Sequence, residues 1–459
     1  MKRIHLIGIG GTGLSAIALF LKERGYSVSG SDRVMSPLAR QLAAQGVTVY
    51  AGHDAKNVTQ ADIVIRSSAI PDANPEVEAA WAAGIPVFKR SEFLGQLMEG
   101  SQGIAIAGTH GKTTTTAMTA WVLTRLGLDP SYIIGGVSKN LGNNAHAGSG
   151  SIFVIEADEY DNMFLGLTPH IAVVIAMEHD HPDCFPTRES YNEAFARFVR
   201  RLEFGGTLIA CTDDKGALWL AKNHCRDNIR MLLYGTGAQA NYRAENMMPN
   251  QRGGFDFKAS FHDAPLADVS LQVPGTHNVL NALATIAIIH SMGLPLDQAA
   301  TALSEFSGTG RRFEVLGEAK GVIVVDDYAH HPTEIRATLA AARARYPERR
   351  IWAVWQPHTY SRTVSLLDEF TAALLLADHV VITEVYAARE KGQGFSSAAI
   401  VEGMAHPSAY FAPTLSDAIQ YLLLQIQRGD VLLVLSAGDA DQVSAGVLAE
   451  LKNREEQNG

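Results

Sequence analysis

Short apolar runs alternate with longer amphipathic segments along almost the whole chain. In the N-terminal part the apolar runs are Arg3–Ile7, Tyr26–Gly30, Val47–Tyr50, Ile63–Arg66 and Pro86–Phe88. Runs this short, separated by segments with helical periodicity, are typical of strands joined by crossover helices. The pattern therefore predicts an α/β fold with mostly parallel sheets.

Two breaks in this pattern suggest three domains. The polar stretch Glu99–Gly103 interrupts the chain before a new apolar run at Ile104–Ala107. A third series of apolar runs opens with Gly321–Val325. Before it, the polar, turn-rich stretch Tyr234–Val273 predicts an antiparallel excursion from the parallel sheet of the second domain. We predict domains over residues 1–98, 99–312 and 313–459, sizes that are common for single domains.

Composition narrows the class of protein. Of the 459 residues 47% are hydrophobic and 19% are charged, and the formal net charge is −10. With no lysine- or arginine-rich run, the chain is not expected to bind nucleic acid or an anionic membrane. The opening MKRIHLIGIGG lacks the apolar segment of a signal peptide, and no apolar run is long enough to span a bilayer. We expect a cytoplasmic protein.

A glycine loop follows the first predicted strand. Gly8-Ile9-Gly10-Gly11-Thr12-Gly13 opens a helix, and Asp32 ends the next strand. Glycines allow a tight turn in which backbone N–H groups approach a diphosphate, and a carboxylate after the second strand can accept a bond from a ribose or sugar hydroxyl. A dinucleotide and a UDP-sugar both present these groups, so the loop alone leaves both ligands open.

A second loop, Gly108–Thr115, lies between the run Ile104–Ala107 and a helix. In its Gly-Lys-Thr core, backbone donors wrap a phosphate, Lys112 neutralises phosphate oxygens and the Thr113 hydroxyl reaches Mg²⁺. The loop is shorter than the usual phosphate loop, but a strand before it and a helix after it are the expected context. It predicts a P-loop-type ATP-binding domain between two Rossmann-like domains.

Acidic runs follow two further predicted strands of the central domain. Ile152–Ile155 leads into Glu156–Asp161, and Ile171–Ile175 leads to Glu178–Asp183. Parallel strands end at the same edge of a sheet, so these carboxylates and imidazoles should lie near the phosphate loop. Oxygen-rich groups there would suit Mg²⁺.

With these motifs the chain resembles the Mur ligases of peptidoglycan synthesis over nearly its whole length. Six segments carry the resemblance: AGTHGKTTTT at Ala107–Thr116, PGTHNVLNA at Pro274–Ala282, SGTGRRFE at Ser307–Glu314, VDDYAHHPTE at Val325–Glu334, QPHTYSRT at Gln356–Thr363 and EVYAARE at Glu384–Glu390. Phe195 stands where some members of the family keep a carbamylated lysine. In lacking that lysine the chain resembles the branch of the family that adds L-alanine.

The resemblance implies a role for each matching residue. The ATP site would comprise Gly108, Thr109, His110, Gly111, Lys112, Thr113, Thr114, His277, Asn278, Arg312, Asp327 and His330. The UDP-sugar site would comprise Gly8, Gly10, Gly11, Thr12, Gly13, Ser31, Asp32, His53 and Ser68. The amino acid would meet Tyr328, His358 and Arg362. Metal ligands would be Thr113, Glu156 and His181. The catalytic groups would be Lys112, His181, Arg312 and His330.

The function implied by the resemblance is ATP-dependent ligation through an acyl-phosphate, with ATP and Mg²⁺ as cofactors. UDP-N-acetylmuramate and L-alanine would be the small-molecule substrates of a monomer or homodimer, with no nucleic-acid or membrane partner. One alternative is a recycling ligase of the same family, which attaches a tripeptide to the same nucleotide. Others from different classes are a nicotinamide-dependent oxidoreductase and a catalytically silent nucleotide-binding regulator.

Overall fold

The computed structural model describes residues 2–388, 390–391 and 394–457, and its strands form three sheets. By internal contacts the chain divides into two compact units. One comprises Met1–Glu245, Lys258–Val269 and Leu280–Phe306, and the other comprises Asn246–Phe257, Ser270–Val279 and Ser307–Gly459. The α/β fold with three sheet-containing domains agrees with the expectation from the sequence. No helix among the described residues combines the length and apolar character needed to cross a membrane.

The first sheet is parallel throughout and lies in the N-terminal part of the first unit. Its strands are β1 (Arg3–Ile7), β2 (Ser27–Asp32), β3 (Thr48–Ala51), β4 (Ile63–Arg66) and β5 (Val87–Lys89). Its helices are α1 (Thr12–Glu23), α2 (Pro37–Ala44), α3 (Pro75–Ala82) and α4 (Arg90–Met98), with a 3₁₀ turn at Ala55–Val58. The order β3-β2-β1-β4-β5 places the glycine loop after β1 at the point where the strand order reverses, which is where ligands bind such sheets.

The second sheet has ten strands in the order β15-β14-β13-β12-β11-β10-β6-β9-β7-β8. These are β6 (Gln102–Ala107), β7 (Ser131–Ile133), β8 (Ala145–His146), β9 (Ile152–Glu156), β10 (Ile171–Val174), β11 (Thr207–Cys211), β12 (Arg230–Gly235), β13 (Tyr242–Pro249), β14 (Phe255–Phe261) and β15 (Ala264–Ser270). The accompanying helices are α5 (Lys112–Arg125), α6 (Arg188–Arg200), α7 (Lys215–His224), α8 (Thr276–Ser291) and α9 (Leu296–Glu305), with a 3₁₀ segment at Tyr160–Gly166.

Two expectations for this region can be compared with the structure. β6 begins at Gln102, within the polar stretch Glu99–Gly103 and two residues before the predicted run, and Gln102 pairs there with Ile152 of β9. The predicted antiparallel excursion is consistent with the turn between β14 and β15. Both turn residues, His262 and Asp263, have positive φ angles of 47° and 65°, as in a type I′ hairpin.

The third sheet has the order β16-β17-β21-β18-β19-β20 and is parallel except for β16. Its strands are β16 (Glu314–Ala319), β17 (Val322–Asp327), β18 (Ile351–Trp355), β19 (His379–Thr383), β20 (Ala409–Ala412) and β21 (Val431–Leu435). Its helices are α10 (Pro332–Arg345), α11 (Tyr360–Ser365), α12 (Leu367–Leu374), α13 (Ala398–Gly403), α14 (Leu415–Gln425) and α15 (Asp441–Glu456).

Alternate residues of the central strands explain why helices cover both faces of the third sheet. Val325 and Leu433 belong to one buried apolar cluster, and Val324 and Leu432 belong to another. Strands buried on both faces are continuous apolar runs, as in the VLLVL of β21. The first charged residues of β17, Asp326 and Asp327, come where that strand ends.

Candidate active site

The glycine loop is held by the end of the neighbouring strand β2. Gly8 N and Ile9 N donate to Ser31 O at 2.8 and 3.0 Å, and Gly10 N donates to Asp32 Oδ2 at 2.9 Å. A Cβ at Gly10 would lie 2.9 Å from Asp32 Oδ2, so the close approach requires glycine. Asp32 therefore clamps the loop through one of its carboxylate oxygens.

The other residues assigned to the UDP-sugar differ in exposure. Thr12 and Ser68 are exposed, but Ser31 is fully buried and its hydroxyl donates to Glu76. His53 lies beside it, with Nδ1 3.0 Å from Ser31 Oγ. Gly13 faces Arg90, because a Cβ at Gly13 would overlap the Arg90 guanidinium. The structure thus brings the loop, Ser31 and His53 together at the carboxyl edge of the first sheet.

The phosphate loop joins β6 to α5. Gly111 precedes the helix with a φ of 80°, and a Cβ there would lie 2.7 Å from Asn281 Oδ1. The Thr109 hydroxyl lies 2.7 Å from Tyr191 Oη, and Glu178 N donates to it at 2.9 Å. These contacts hold the turn through groups of the protein itself.

Lys112, the first residue of α5, is held by its own loop and by an acidic residue. Its Nζ donates to Gly108 O at 2.5 Å, to Thr109 O at 3.3 Å and to Glu159 Oε2 at 2.7 Å. Burial lowers the pKa of Lys112, but Glu159 and the other nearby carboxylates outweigh it, so the pKa is raised. The ammonium is therefore kept charged where a phosphate would enter.

Two oxygen-rich groups flank Lys112. Thr113 Oγ1 donates to Glu156 Oε1 at 3.0 Å, and Gly135 N donates to Glu156 Oε2 at 2.7 Å. Burial raises the pKa of Glu156. A carboxylate next to a threonine hydroxyl, with its charge penalised by burial, offers the hard oxygen donors that Mg²⁺ prefers.

The second group is formed by His181 and Glu159. His181 Nε2 lies 3.8 Å from Glu159 Oε1 and 3.8 Å from Asp180 Oδ2. Glu159 is fully buried, and its Oε1 is one of the buried side-chain atoms without a hydrogen-bond partner in the described part of the chain. An unpartnered carboxylate oxygen beside an imidazole also fits a divalent cation.

Other residues assigned to ATP lie around this loop or in the second unit. His110 Nε2 is 3.0 Å from Glu178 Oε2, and Thr114 is buried on α5. In the second unit, Asn278 Nδ2 donates to Pro274 O at 2.7 Å, whereas His277 is exposed. The Asn278 amide thus helps to shape the chain just before α8.

In the second unit, Asp327 ends β17 with both carboxylate oxygens bonded to backbone. Phe313 N donates to Oδ2 at 2.7 Å and Ala329 N donates to Oδ1 at 2.8 Å. Burial raises the pKa of Asp327 to about 6, against the opposing effect of Arg312. Each oxygen has further lone pairs, so the carboxylate can still accept a ribose hydroxyl.

His330 and Arg312 share Glu334. His330 Nδ1 lies 2.9 Å from Tyr328 O and 3.3 Å from Glu334 Oε2, and Arg312 Nη1 lies 3.7 Å from Glu334 Oε1. Tyr328 O and Glu334 Oε2 can only accept, so Nδ1 carries the proton that is directed at them. In neutral His330 the lone pair is then on Nε2.

The residues assigned to the amino acid form an aromatic and basic group. Arg362 Nη1 lies 3.1 Å from His358 Nδ1, and the His358 ring stacks on Tyr386 with centroids 5.7 Å apart. The His330 and His358 ring centroids are 5.9 Å apart, and those of Tyr328 and His330 are 5.5 Å apart. A guanidinium only donates, so His358 Nδ1 accepts and its proton is on Nε2.

The turn before Arg362 is strained. Thr359 has φ 65° and ψ 143°, a region that β-branched residues rarely occupy, and its N–H donates to Tyr386 O at 2.9 Å. Strain of this kind is found where a functional side chain must be aimed.

Sequence reasoning missed three acidic residues that organise these groups. Glu159 lies within the acidic run after β9, but the spacing gave no sign that it would pair with Lys112. Glu334 follows His331-Pro332 as the third residue of α10, a position that indicates only a helix start. Glu76 occupies a similar position at the start of α3, and no signal pointed to its neighbours.

Three family models together match most of the chain. The model described as "Mur ligase family, catalytic domain" matches residues 3–102, "Mur ligase middle domain" matches 106–289, and "Mur ligase, glutamate ligase domain" matches 311–438. The chain belongs to the Mur ligase family.

Individual Mur ligases are similar over the full length. A UDP-N-acetylmuramate–L-alanine ligase from Renibacterium salmoninarum is 45% identical over 98% of this chain and 96% of its own. The crystal structure of a UDP-N-acetylmuramate–alanine ligase from Thermotoga maritima has a TM-score of 0.84 at 29% identity, covering 99% of this chain and 100% of that one. A murein peptide ligase from Psychrobacter arcticus has a TM-score of 0.73 at 28% identity, covering 99% of each chain.

Proposed function

We propose that this protein joins L-alanine to UDP-N-acetylmuramate in an ATP-dependent reaction through an acyl-phosphate, in the synthesis of peptidoglycan precursors. The observation that carries the proposal is the group around Lys112, with Thr113 and Glu156 on one side and Glu159 and His181 on the other. The chain that carries this group is a Mur ligase and is 45% identical to the UDP-N-acetylmuramate–L-alanine ligase of Renibacterium salmoninarum.

We assign the binding of the three substrates to three parts of the chain. Residues 1–98 bind the UDP-sugar, residues 99–312 bind ATP and carry the ligase chemistry, and residues 313–459 bind the amino acid. The position of the glycine loop at the reversal of the first sheet and the phosphate loop after β6 support the first two assignments. The group of His358, Arg362 and Tyr328 supports the third.

Mg²⁺ fits the oxygen and imidazole donors on both sides of Lys112. Thr113 and Glu156 would hold one ion and His181 another, with Glu159 as a further acidic neighbour. Bound there, Mg²⁺ would neutralise negative charge on the phosphate oxygens. Gly108–Thr114, His277, Asn278, Arg312, Asp327 and His330 are assigned to ATP.

The chemistry has two steps. A carboxylate oxygen of the muramate attacks the γ-phosphorus of ATP, and ADP leaves as an acyl-phosphate forms. The neutral amine of L-alanine then attacks the acyl carbon, and the tetrahedral intermediate expels phosphate with the carboxylate oxygen. Negative charge develops on the same phosphoryl oxygens in both steps, and Lys112 and Arg312 stabilise it.

The amino acid is bound and deprotonated by the second unit. Arg362 binds the L-alanine carboxylate, and His358 donates to it through Nε2–H because Arg362 occupies Nδ1. His330 has its Nδ1 proton directed at Tyr328 O, so its Nε2 is the atom that we assign to accept the ammonium proton. The amine needs this step because an ammonium has no free electron pair.

We further propose that the protein works in the cytoplasm on small molecules, as a monomer or homodimer and without a nucleic-acid or membrane partner. The use of ATP and the net charge of −10 support this assignment.

The proposed function is tested by phosphate release with ATP, Mg²⁺ and UDP-N-acetylmuramate, adding one acceptor at a time. Release with L-alanine and not with the tripeptide is expected. Release with the tripeptide alone would move the chain to the recycling branch of the family. Absence of release with every acceptor, or NAD(P)H turnover without ADP, would overturn the proposal.

A further inference from the structure

Glu76 is a fully buried carboxylate beneath the glycine loop. It is the second residue of α3, whose start is capped by Asn74. Ser31 Oγ donates to its Oε2 at 2.5 Å, and His53 Nδ1 lies 3.2 Å from the same oxygen. Asn57 Nδ2 donates to Oε1 at 2.6 Å. Both carboxylate oxygens are therefore satisfied by side chains that come from three different loops and strands.

This carboxylate is charged despite its burial. Burial raises the pKa of Glu76, but the nearby His5 and the hydrogen bonds from Ser31 and Asn57 outweigh it and lower the pKa to about 2. His5 Nε2 lies 3.7 Å from Oε1. Burying a charge is costly unless donors surround it, and apolar residues would fill the space at lower cost. The arrangement therefore calls for a role beyond packing.

His53 is a neighbour of Glu76 that reaches the surface. It follows β3 at the carboxyl edge of the sheet, and its side chain is 12% exposed. Nδ1 makes both of its contacts, to Ser31 Oγ and Glu76 Oε2. The other ring nitrogen, Nε2, makes no hydrogen bond within the described residues, and it is not one of their buried unpartnered atoms. It is therefore the nitrogen that faces outward.

The charge on Glu76 decides which nitrogen of His53 carries a proton. A carboxylate only accepts, so the proton lies on Nδ1 and is shared with Ser31 Oγ and Glu76. In neutral His53, the outward Nε2 then has a lone pair and accepts hydrogen bonds. The same network reaches the glycine loop, because Ser31 O accepts from Gly8 N and Ile9 N.

We propose that Glu76 is a positioning residue of the nucleotide-sugar site, which sets the tautomer of His53 so that Nε2 accepts a hydrogen bond from the nucleotide. This inference rests on the proposed function, in which the glycine loop binds a UDP-sugar. The donors that a uridine nucleotide offers are the uracil N3–H and the ribose hydroxyls. Glu76 acts on the ligand only through His53.

Glu76→Gln separates this role from packing. Glutamine has nearly the same volume, but it replaces one acceptor oxygen with an N–H₂ group in a site where every neighbour donates. The amide can donate to His53 Nδ1, which moves the imidazole proton to Nε2 and turns an acceptor into a donor. The matched control is Val77→Ala, which changes the next residue of α3, a fully buried valine that packs in an apolar cluster with Ile7 and Val64.

The first measurement is UDP binding by calorimetry to the full-length wild type and both variants. We expect Glu76→Gln to weaken UDP binding at least tenfold and to raise the KM for the UDP-sugar, with the KM for ATP unchanged. Val77→Ala should keep the UDP affinity within about twofold. The double variant Glu76→Gln/His53→Ala should lose no more UDP affinity than His53→Ala alone. Equal losses in Glu76→Gln and Val77→Ala, or additive losses in the double variant, would overturn the inference.

A second measurement does not depend on the folding of any Glu76 variant. In wild-type protein labelled with ¹⁵N-histidine, the His53 signal, assigned by its absence in His53→Ala, should show a protonated Nδ1 and an unprotonated Nε2. The opposite tautomer would overturn the inference. Two analogues identify the donor on the nucleotide: N3-methyl-UDP lacks the uracil N3–H, and 2′-deoxy-UDP lacks the ribose 2′-hydroxyl. The analogue that lacks the group bonded to His53 should bind more weakly than UDP. Failure of the wild type to bind UDP would instead refute the assignment of the site.

Discussion

Lys112 and Glu159 form a buried ion pair, with Nζ 2.7 Å from Oε2. The same carboxylate lies 3.8 Å from His181 through its other oxygen. Glu159 therefore joins the lysine of the phosphate loop to the imidazole assigned to a metal. It supplies the counter-charge for a lysine whose ammonium also donates to two carbonyls of its own loop.

Removing the Lys112 charge should stop the reaction without emptying the UDP-sugar site. We expect Lys112→Ala to lower kcat by at least about 10²–10³-fold, the size of effect seen when one preorganised charge-stabilising donor is lost. UDP binding, measured by calorimetry, should be unchanged. Lys215→Ala is the control, because Lys215 is also the first residue of a helix, α7, but is exposed. Turnover by Lys112→Ala at the wild-type rate would contradict the assigned role.

The Lys112–Glu159 pair should show strong coupling in stability. Glu159→Gln and Lys112→Met each leave a buried charge without its partner, and such losses cost about 3–5 kcal/mol. The double variant should therefore recover part of the loss, with a coupling free energy of about 1–3 kcal/mol in urea unfolding.

The exposed pair Arg200–Glu193 provides the comparison, with N and O atoms 3.0 Å apart. Its double-variant cycle should give a coupling within about 1 kcal/mol, because solvent screens the interaction. Equal coupling in the two cycles would mean that burial does not strengthen the Lys112–Glu159 contact.

Arg362 should control affinity for the amino acid alone. Arg362→Lys keeps the charge but loses the planar fork that can contact both a carboxylate and His358. We expect the KM for L-alanine to rise about tenfold or more, which corresponds to about 1.4 kcal/mol or more, with the KM for ATP unchanged. Arg343→Lys, in a half-exposed pair with Asp378, should leave all three KM values unchanged. A rise in the KM for ATP only would contradict the assignment.

Asp326 should make stability depend on pH. Burial raises its pKa to about 7, against the attraction of Arg311, whereas in the unfolded chain it titrates near its ordinary value of 3.8. Between these values the folded state holds the proton more tightly, so the contribution of Asp326 to stability falls as pH rises from about 4 to 7. One such proton changes the free energy of unfolding by at most about 1.4 kcal/mol per pH unit.

Asp326→Asn removes this titration. The difference in urea midpoint between variant and wild type should shift in favour of the variant as pH rises from 5 to about 8. Asp378→Asn is the control, because the pKa of Asp378 is lowered in the folded state, so this carboxyl is ionised in the folded and unfolded chain throughout the range and its difference should not change with pH. A pH-independent difference for Asp326→Asn would show that Asp326 is already ionised at pH 5.

The fold could be predicted because each strand of these parallel sheets is a local signal. The bounds of β1 and β4 coincide with predicted runs, because strands that are buried on both faces consist mainly of apolar residues. The glycine loop and the phosphate loop could be placed for the same reason, because each directly follows such a strand.

The partners of the site residues could not be predicted. Which carboxylate meets Lys112 depends on the path of the chain after β9, where Asp161 and Asn162 have positive φ angles. A buried Glu76 looks in the sequence like any acidic residue in the first turn of a helix. The resemblance assigns Ser31 to the nucleotide, but nothing in the sequence indicates that its hydroxyl donates to Glu76, because the two residues are 45 positions apart.

The acyl-phosphate route is tested most directly by isotope transfer. UDP-N-acetylmuramate with ¹⁸O at both oxygens of its lactyl carboxylate is incubated with ATP, Mg²⁺ and L-alanine. The released phosphate is then analysed by mass spectrometry. Because phosphate leaves with the carboxylate oxygen, one ¹⁸O atom should appear in each phosphate, and only when L-alanine is joined to the nucleotide. Product formation with unlabelled phosphate would contradict the account.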